Sequence, residues 1–114
     1  MTVQTEQARS GHPFRMWDAI METPDFVERC LQPDLAEPAK KVGREIVERG
    51  INRVFLLGCG SSFYAASSAA RAFQTLAGLD ADAYDSFEFH KYRLGFVTPK
   101  TAVISFSHSG ATRE

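Results

Sequence analysis

The sequence predicts an α/β domain built on a parallel sheet. Two short apolar runs, residues 53–57 and 101–106, are typical of buried parallel strands. Residues 63–76 follow the first run and are rich in alanine and serine, a composition that lets a helix lie close to a sheet. Strands that alternate with helices favour right-handed crossovers, so we expect helices on both faces of the sheet.

The composition is that of an ordinary globular protein. The chain has 114 residues, of which 44% are hydrophobic and 24% charged, so we expect at most one domain. A net charge of −1 gives no electrostatic basis for binding nucleic acid or an anionic membrane. The sequence contains no signal-peptide h-region and no apolar run long enough to span a bilayer, so we expect neither a secretory leader nor a membrane-spanning segment. Cys30 and Cys59 lack metal-ligand spacing, so we expect a cytoplasmic protein with reduced thiols and without a metal or other cofactor.

Short helices are predicted to precede the sheet. Residues 1–13 are expected to form a disordered lead, and residues 14–50 a helical segment. Its first helix covers residues 14–22. Thr23 is then predicted to cap a second helix, with Pro24 at its first position.

The end of this segment is also defined by its breaking residues. Pro33 and Pro38 are predicted to interrupt the chain, and a third helix is expected over residues 39–49. Gly50 is predicted to end that helix, as glycine commonly does.

Residues 51–114 are predicted to form the first part of a truncated α/β domain. Residues 81–84 are expected to be a weak edge strand, residues 86–92 a short helix and residues 94–99 a loop. The chain ends at Glu114 in what reads as the opening turn of a helix, so we expect a piece of a longer protein.

Two polar loops follow predicted strands. The first, residues 58–62, lacks the third glycine of a dinucleotide fingerprint, because Phe63 stands there, and lacks the lysine of a P-loop. Taken alone, it fits either anion binding or a tight turn in which Ser62 caps the next helix.

The second loop, residues 105–112, favours anion binding more strongly. Its hydroxyl groups cluster around a glycine and exceed what capping one helix requires. We expect His108 to position a ligand rather than to catalyse, and His90 to lie on a solvated helix face. The predicted ligand contacts from both loops are Gly60, Ser61, Ser62, Ser107, His108, Ser109, Gly110 and Thr112.

Four segments together resemble the sugar isomerase (SIS) domain family. Residues 59–62 are similar to its Cys-Gly-Thr-Ser loop, and residues 107–112 to its Ser-Gln-Ser-Gly-Glu-Thr loop. Residues 86–89 are similar to its Ser-Glu-Phe segment with one residue inserted, and residues 16–24 match its Met-x-x-x-Ile-x-Glu-x-Pro entry helix. The likeness is to the isomerase half of glucosamine–fructose-6-phosphate aminotransferase and to relatives without a glutaminase domain.

The resemblance implies an incomplete flavodoxin-like αβα sandwich that binds a phosphorylated sugar or amino sugar. It implies part of a sugar-phosphate isomerase or deaminase of the ketose–aldose type that works by general acid/base catalysis, and a homodimer. The family's catalytic groups are expected beyond residue 114, so no catalytic residue is assigned. His108 stands where the family has glutamine, and Ala111 where it has glutamate.

Other functions remain open at this point. A fructosamine-phosphate deglycase fits the same loops. About fifty residues precede the first predicted strand, so we expect no glutaminase domain before it. A sugar-phosphate-sensing SIS domain of a transcription regulator is the further alternative. The N-terminal helices offer no basic recognition helix in its support.

Overall fold

A computed structural model of the protein describes residues 10–110. The predicted lead falls largely on residues 1–9, and Thr112 falls on residues 111–114; both stretches lie outside the described residues. The chain forms two compact units, the first ending at Val42 and the second beginning at Gly43.

The first unit contains a helix that runs through a predicted break. Helix α1 spans Arg15–Cys30 with Pro24 inside it, so the prediction that Thr23 caps a new helix is wrong. The Thr23 hydroxyl instead donates backwards to the carbonyl of Ala19 at 2.9 Å. A threonine hydroxyl can accept from a following amide, as a helix cap does, or donate to a preceding carbonyl. Residue type alone does not distinguish these two arrangements. Apolar side chains of α1 remain exposed, among them Trp17 at 58%.

Helix α2 begins earlier than the sequence predicts. It spans Pro33–Glu48, so Pro33 starts the helix, and Pro38 lies within it. A proline at the first helical position loses nothing, because the amide there has no partner inside the helix. The end of α2 is predicted correctly: Gly50 has a φ of 61°, and Ile51 N donates to Ile46 O at 3.0 Å.

A bidentate ion pair spans the turn between α1 and α2. The two guanidinium nitrogens Nη1 and Nη2 of Arg29 donate to the two carboxylate oxygens of Asp34, each at 2.8 Å. Hydrogen bonding to Arg29 lowers the pKa of Asp34 below its ordinary value. Both side chains are exposed, so the pair adds little stability but favours one geometry of the turn.

The second unit alternates strands and helices as predicted. Strand β1 agrees with the first apolar run and β3 with the second, while β2 is an edge strand. The helix after β1 ends in a π-helical turn, and the segment after β2 is helical as far as Phe96. The predicted loop over residues 94–99 therefore begins with a 3-10 turn, and residues 97–100 lead into β3. The elements are β1 (Arg53–Gly58), α3 (Ser61–Ala72), the π turn Phe73–Ala77, β2 (Asp80–Asp85), α4 (Ser86–Glu88), the π turn Phe89–Arg93, the 3-10 turn Leu94–Phe96 and β3 (Thr101–Ser105).

The described sheet has three parallel strands in the order β2-β1-β3. Strand β1 pairs from Arg53 to Gly58 with β2, and from Arg53 to Leu57 with β3. This arrangement is an incomplete flavodoxin-like fold, because its order matches the first three strands of that sheet. All three carboxyl ends therefore lie at one edge.

Helical segments cover both faces of this sheet. On one face, Val54 and Leu56 are fully buried and cluster with Ala66 and Ala70 of α3. These small side chains let α3 approach the sheet closely, and each buried Val or Leu contributes about 1.5–3 kcal/mol. Successive residues of a strand point to opposite faces, so Phe55 faces the other way and packs against Phe89, with ring centroids 5.3 Å apart.

Gly58 permits a close approach between strand β1 and helix α3. It is buried at the end of β1, directly beneath the first turn of α3. A Cβ atom on Gly58 would lie 2.5 Å from the carbonyl oxygen of Ser62 and 2.6 Å from the amide nitrogen of Phe63. Both are backbone atoms that cannot rotate away, so only glycine fits here.

We predict that Gly58→Ala lowers the free energy of unfolding by about 1–3 kcal/mol, because the methyl group displaces the start of α3. Urea unfolding followed by circular dichroism measures this change. Gly43→Ala is the matched control: no atom lies within 4 Å of its added Cβ, and it sits inside α2. For Gly43→Ala we expect the free energy of unfolding to rise by about 0.5–1 kcal/mol. Equal effects at the two sites would contradict the close approach.

A second prediction concerns pH. Because folding lowers the pKa of Asp34, its contribution to stability is present above the unfolded pKa and disappears as the pH falls through the folded pKa. Asp34→Asn should therefore lower the melting temperature slightly at pH 7 and converge with the parent protein at low pH. Asp25→Asn makes the same chemical change outside the pair. A difference between Asp34→Asn and parent that widened on acidification would refute this.

Candidate functional site

A cavity of about 440 Å³ lies at the carboxyl edge of the sheet. The register places Gly58 opposite Asp85, and Leu57 opposite Ser105, so the segments that follow the three strands meet there. The chain passes from β2 on one side of β1 to β3 on the other, and ligands of open α/β sheets bind at such reversals. The volume suits a small-molecule ligand.

The first wall is the loop between β1 and α3. Gly60 has φ 55° and ψ −123°, a conformation that glycine adopts readily and other residues adopt under strain. It is the N-cap of α3 and provides no side-chain cap. The alternative in which Ser62 caps the helix is therefore wrong, because Ser62 lies inside the first turn. Ser61 and Ser62 both line the cavity.

The second wall is the loop after β3. The amide of Phe106 donates to the carbonyl of Leu57 at 2.8 Å, which extends the pairing with β1 by one bond and holds the two loops side by side. Further along, the amide of Gly110 donates to Oγ of Ser107 at 2.9 Å, and Gly110 has a φ of 65°. The side chain of Ser107 therefore closes a turn that ends at Gly110.

Three predicted contacts of this second loop line the cavity: Ser107, His108 and Ser109. Gly60 and Gly110 shape the two loops without lining it. The structure therefore brings together the side chains of five of the eight predicted residues. Thr112 is the remaining polar one and lies outside the described residues.

The sequence prediction missed the third wall. Ser86, Phe89, His90 and Leu94, from the helical segment after β2, also line the cavity. His90 is exposed, as expected of a solvated helix face, but that face borders the cavity. The available signal was spacing, because residues four apart share one side of a helix, as Ser86, His90 and Leu94 do.

The cavity presents mainly hydroxyl and imidazole groups. Among the described residues that line it there is no lysine, arginine, aspartate or glutamate, only hydroxyls, two imidazoles, a thiol and apolar surface. The carboxylate of Asp85, at the end of β2, accepts from the amide of Phe87 at 3.0 Å and caps α4. Such a cavity can bind an anion or hydroxyl groups but has no carboxylate to act as an acid or base. Within residues 10–110, no group of three or more His, Cys, Asp or Glu side chains is placed to hold a metal.

Fold and site together define a parallel α/β domain with a cavity bordered by two polar loops. Comparison with known proteins gives the family: the model of the SIS domain matches residues 49–114. This match covers more than half of the chain, which therefore belongs to the SIS domain family.

Curated relatives carry the name glutamine–fructose-6-phosphate aminotransferase [isomerizing]. The relative from Xanthomonas campestris is 34% identical over 108 residues, 88% of this chain and 17% of its own length. The relative from Thermus thermophilus is 30% identical over 106 residues, 91% of this chain and 17% of its own. The relative from Xylella fastidiosa is 37% identical over 68 residues, 60% of this chain and 11% of its own.

The chain thus spans between a tenth and a fifth of the length of the relatives that it matches. It is homologous to a part of these aminotransferases. The search of solved structures finds no match. In the part of the chain that the structure describes, no helix is both long and apolar enough to cross a membrane.

Proposed function

We propose that the cavity binds a sugar phosphate, with the phosphate group between the two polar loops. The observation that carries this proposal is that two serine-containing loops, after β1 and after β3, border a single cavity. A phosphate offers many acceptor lone pairs, and hydroxyl groups from two directions can donate to it at once.

The start of α3 supports the same assignment. Its N-cap is a glycine, so no side chain caps the helix at its positive end, which borders the cavity. The helix continues for 12 residues before the π turn, long enough for its dipole to favour an anion. Because the described lining contains no lysine or arginine, the hydroxyls and the helix end are the main source of favourable interaction with the phosphate.

The relatives' name suggests the substrate class. Fructose 6-phosphate is the sugar phosphate in that name, so we propose a ketose or amino-sugar 6-phosphate as the ligand. The predicted contacts Ser61, Ser62, Ser107, Ser109 and Thr112 would then hold its phosphate.

We further propose that the whole protein is a ketose–aldose isomerase or deaminase of sugar phosphates. In such an isomerisation a base removes a proton from one of the carbons C1 and C2. The proton is returned to the other carbon, and the carbonyl group moves between them. The described lining contains no carboxylate for this step, and we assign its two imidazoles to positioning the ligand. We therefore assign the acid and the base to groups outside this segment.

Ser109→Ala tests the binding site. Loss of a hydroxyl that donates to a charged phosphate should weaken binding of fructose 6-phosphate to the full-length protein by about tenfold or more. Isothermal titration calorimetry measures the affinity, with fructose and inorganic phosphate as comparison ligands. Ser68→Ala is the matched control, because the Ser68 hydroxyl donates within α3 to the carbonyl of Tyr64 and does not line the cavity. Unchanged affinity in Ser109→Ala would remove this loop from the site.

The two cysteines provide an independent test. Cys59 lines the cavity, whereas Cys30 is exposed on α1. Fructose 6-phosphate should therefore slow alkylation of Cys59 by iodoacetamide and leave the rate at Cys30 unchanged, as followed by peptide mass spectrometry. Cys30 is the internal control within the same molecule. Equal rates at Cys59 with and without a saturating ligand would place the ligand elsewhere.

A further inference from the structure

The third wall of the cavity differs in chemistry from the two loops. Ser86 and His90 offer one hydroxyl and one imidazole, and Phe89 and Leu94 offer apolar surface beside them. A sugar carries hydroxyl groups next to C–H surface, and this alternation matches the wall. A phosphate, by contrast, can accept more hydrogen bonds from the hydroxyl groups that cluster in the two loops.

The wall is held in place by packing. Phe89 is 4% exposed, and its ring lies against Phe55 of the central strand, with centroids 5.3 Å apart. His90 is the next residue and is therefore carried on a fixed turn of backbone. An imidazole that is positioned in this way can both donate and accept a hydrogen bond.

No lysine or arginine among the described residues of this wall offers the phosphate a partner inside the cavity. The Asp85 carboxylate sits at the start of the segment and already occupies the amide of Phe87. The nearby cations are directed to aromatic rings: Lys91 lies over Phe87 at 5.2 Å and Arg93 over Tyr84 at 5.1 Å. Neither of these two cations lines the cavity.

We infer that Ser86 and His90 bind the hydroxyl end of the sugar, and that His90 is a specificity-determining residue. This inference rests on the proposed function, since it requires the phosphate to lie between the loops. The ligand then has a fixed direction, with its phosphate at the β1 and β3 loops and its hydroxyl groups at the segment after β2.

Calorimetry on the full-length protein separates the two ends of the ligand. The probes are fructose 6-phosphate and inorganic phosphate, and the variants are His90→Ala, Ser86→Ala and Ser109→Ala. We expect His90→Ala to weaken fructose 6-phosphate binding by about tenfold and to leave inorganic phosphate binding unchanged. Ser86→Ala should do the same to a smaller extent, whereas Ser109→Ala should weaken both probes.

Two further variants complete the design. His12→Ala removes an imidazole that does not line this cavity and should change neither affinity. His90→Gln keeps a side chain that can donate and accept, so it should recover part of the lost affinity. Circular dichroism checks that each variant is folded.

The outcomes distinguish the inference from the proposed function. Suppose that Ser109→Ala lowers the affinity for both probes, whereas His90→Ala lowers both affinities equally or neither. The assignment of His90 is then overturned, and the phosphate site stands. If Ser109→Ala changes neither affinity, or the parent protein binds neither probe, the proposed function itself fails.

Discussion

The backbone pairing of strand β1 on both sides is the constraint on which the candidate site depends. Because β2 and β3 run parallel to β1, all three strands release the chain at the same edge. Each wall of the cavity is the first segment after one strand. The last bond of this ladder, from Phe106 to Leu57, already belongs to the loop and sets its distance from the start of α3. The register of the strands therefore determines where the walls of the cavity lie relative to one another.

The sheet was predictable because its signals are local. The apolar runs of β1 and β3, and the helix end at Gly50 in the left-handed conformation, follow from residue type alone. The prolines misled the prediction for a physical reason. Pro24 and Pro38 remove one hydrogen bond each, and the rest of the helix continues through that loss.

The candidate site was predictable only in part, for a different reason. The serines of both loops stand out because several hydroxyls surround a glycine, and the four predicted serines that the structure describes line the cavity together with His108. His90 and Ser86 carry no such signal. Their place at the cavity follows from the parallel pairing of β2 with β1, a tertiary contact between residues some 27 positions apart in sequence, as with Arg53 and Asp80. The close approach at Gly58 is of the same kind, because it depends on how α3 leaves the sheet.

The absence of lysine and arginine from the described lining has a consequence for the association of an anionic ligand. A site lined by lysine or arginine draws anions from a distance, and its association rate falls steeply as salt is added. The described lining contains neither residue, and Lys91 and Arg93 of the third wall lie over aromatic rings, so selection among anions is made on contact, by the match of hydroxyls and backbone to the shape of the ligand. Capture by this cavity would then depend less on the salt concentration than capture by a site lined with cations, because screening acts on charges over about 8 Å at physiological ionic strength.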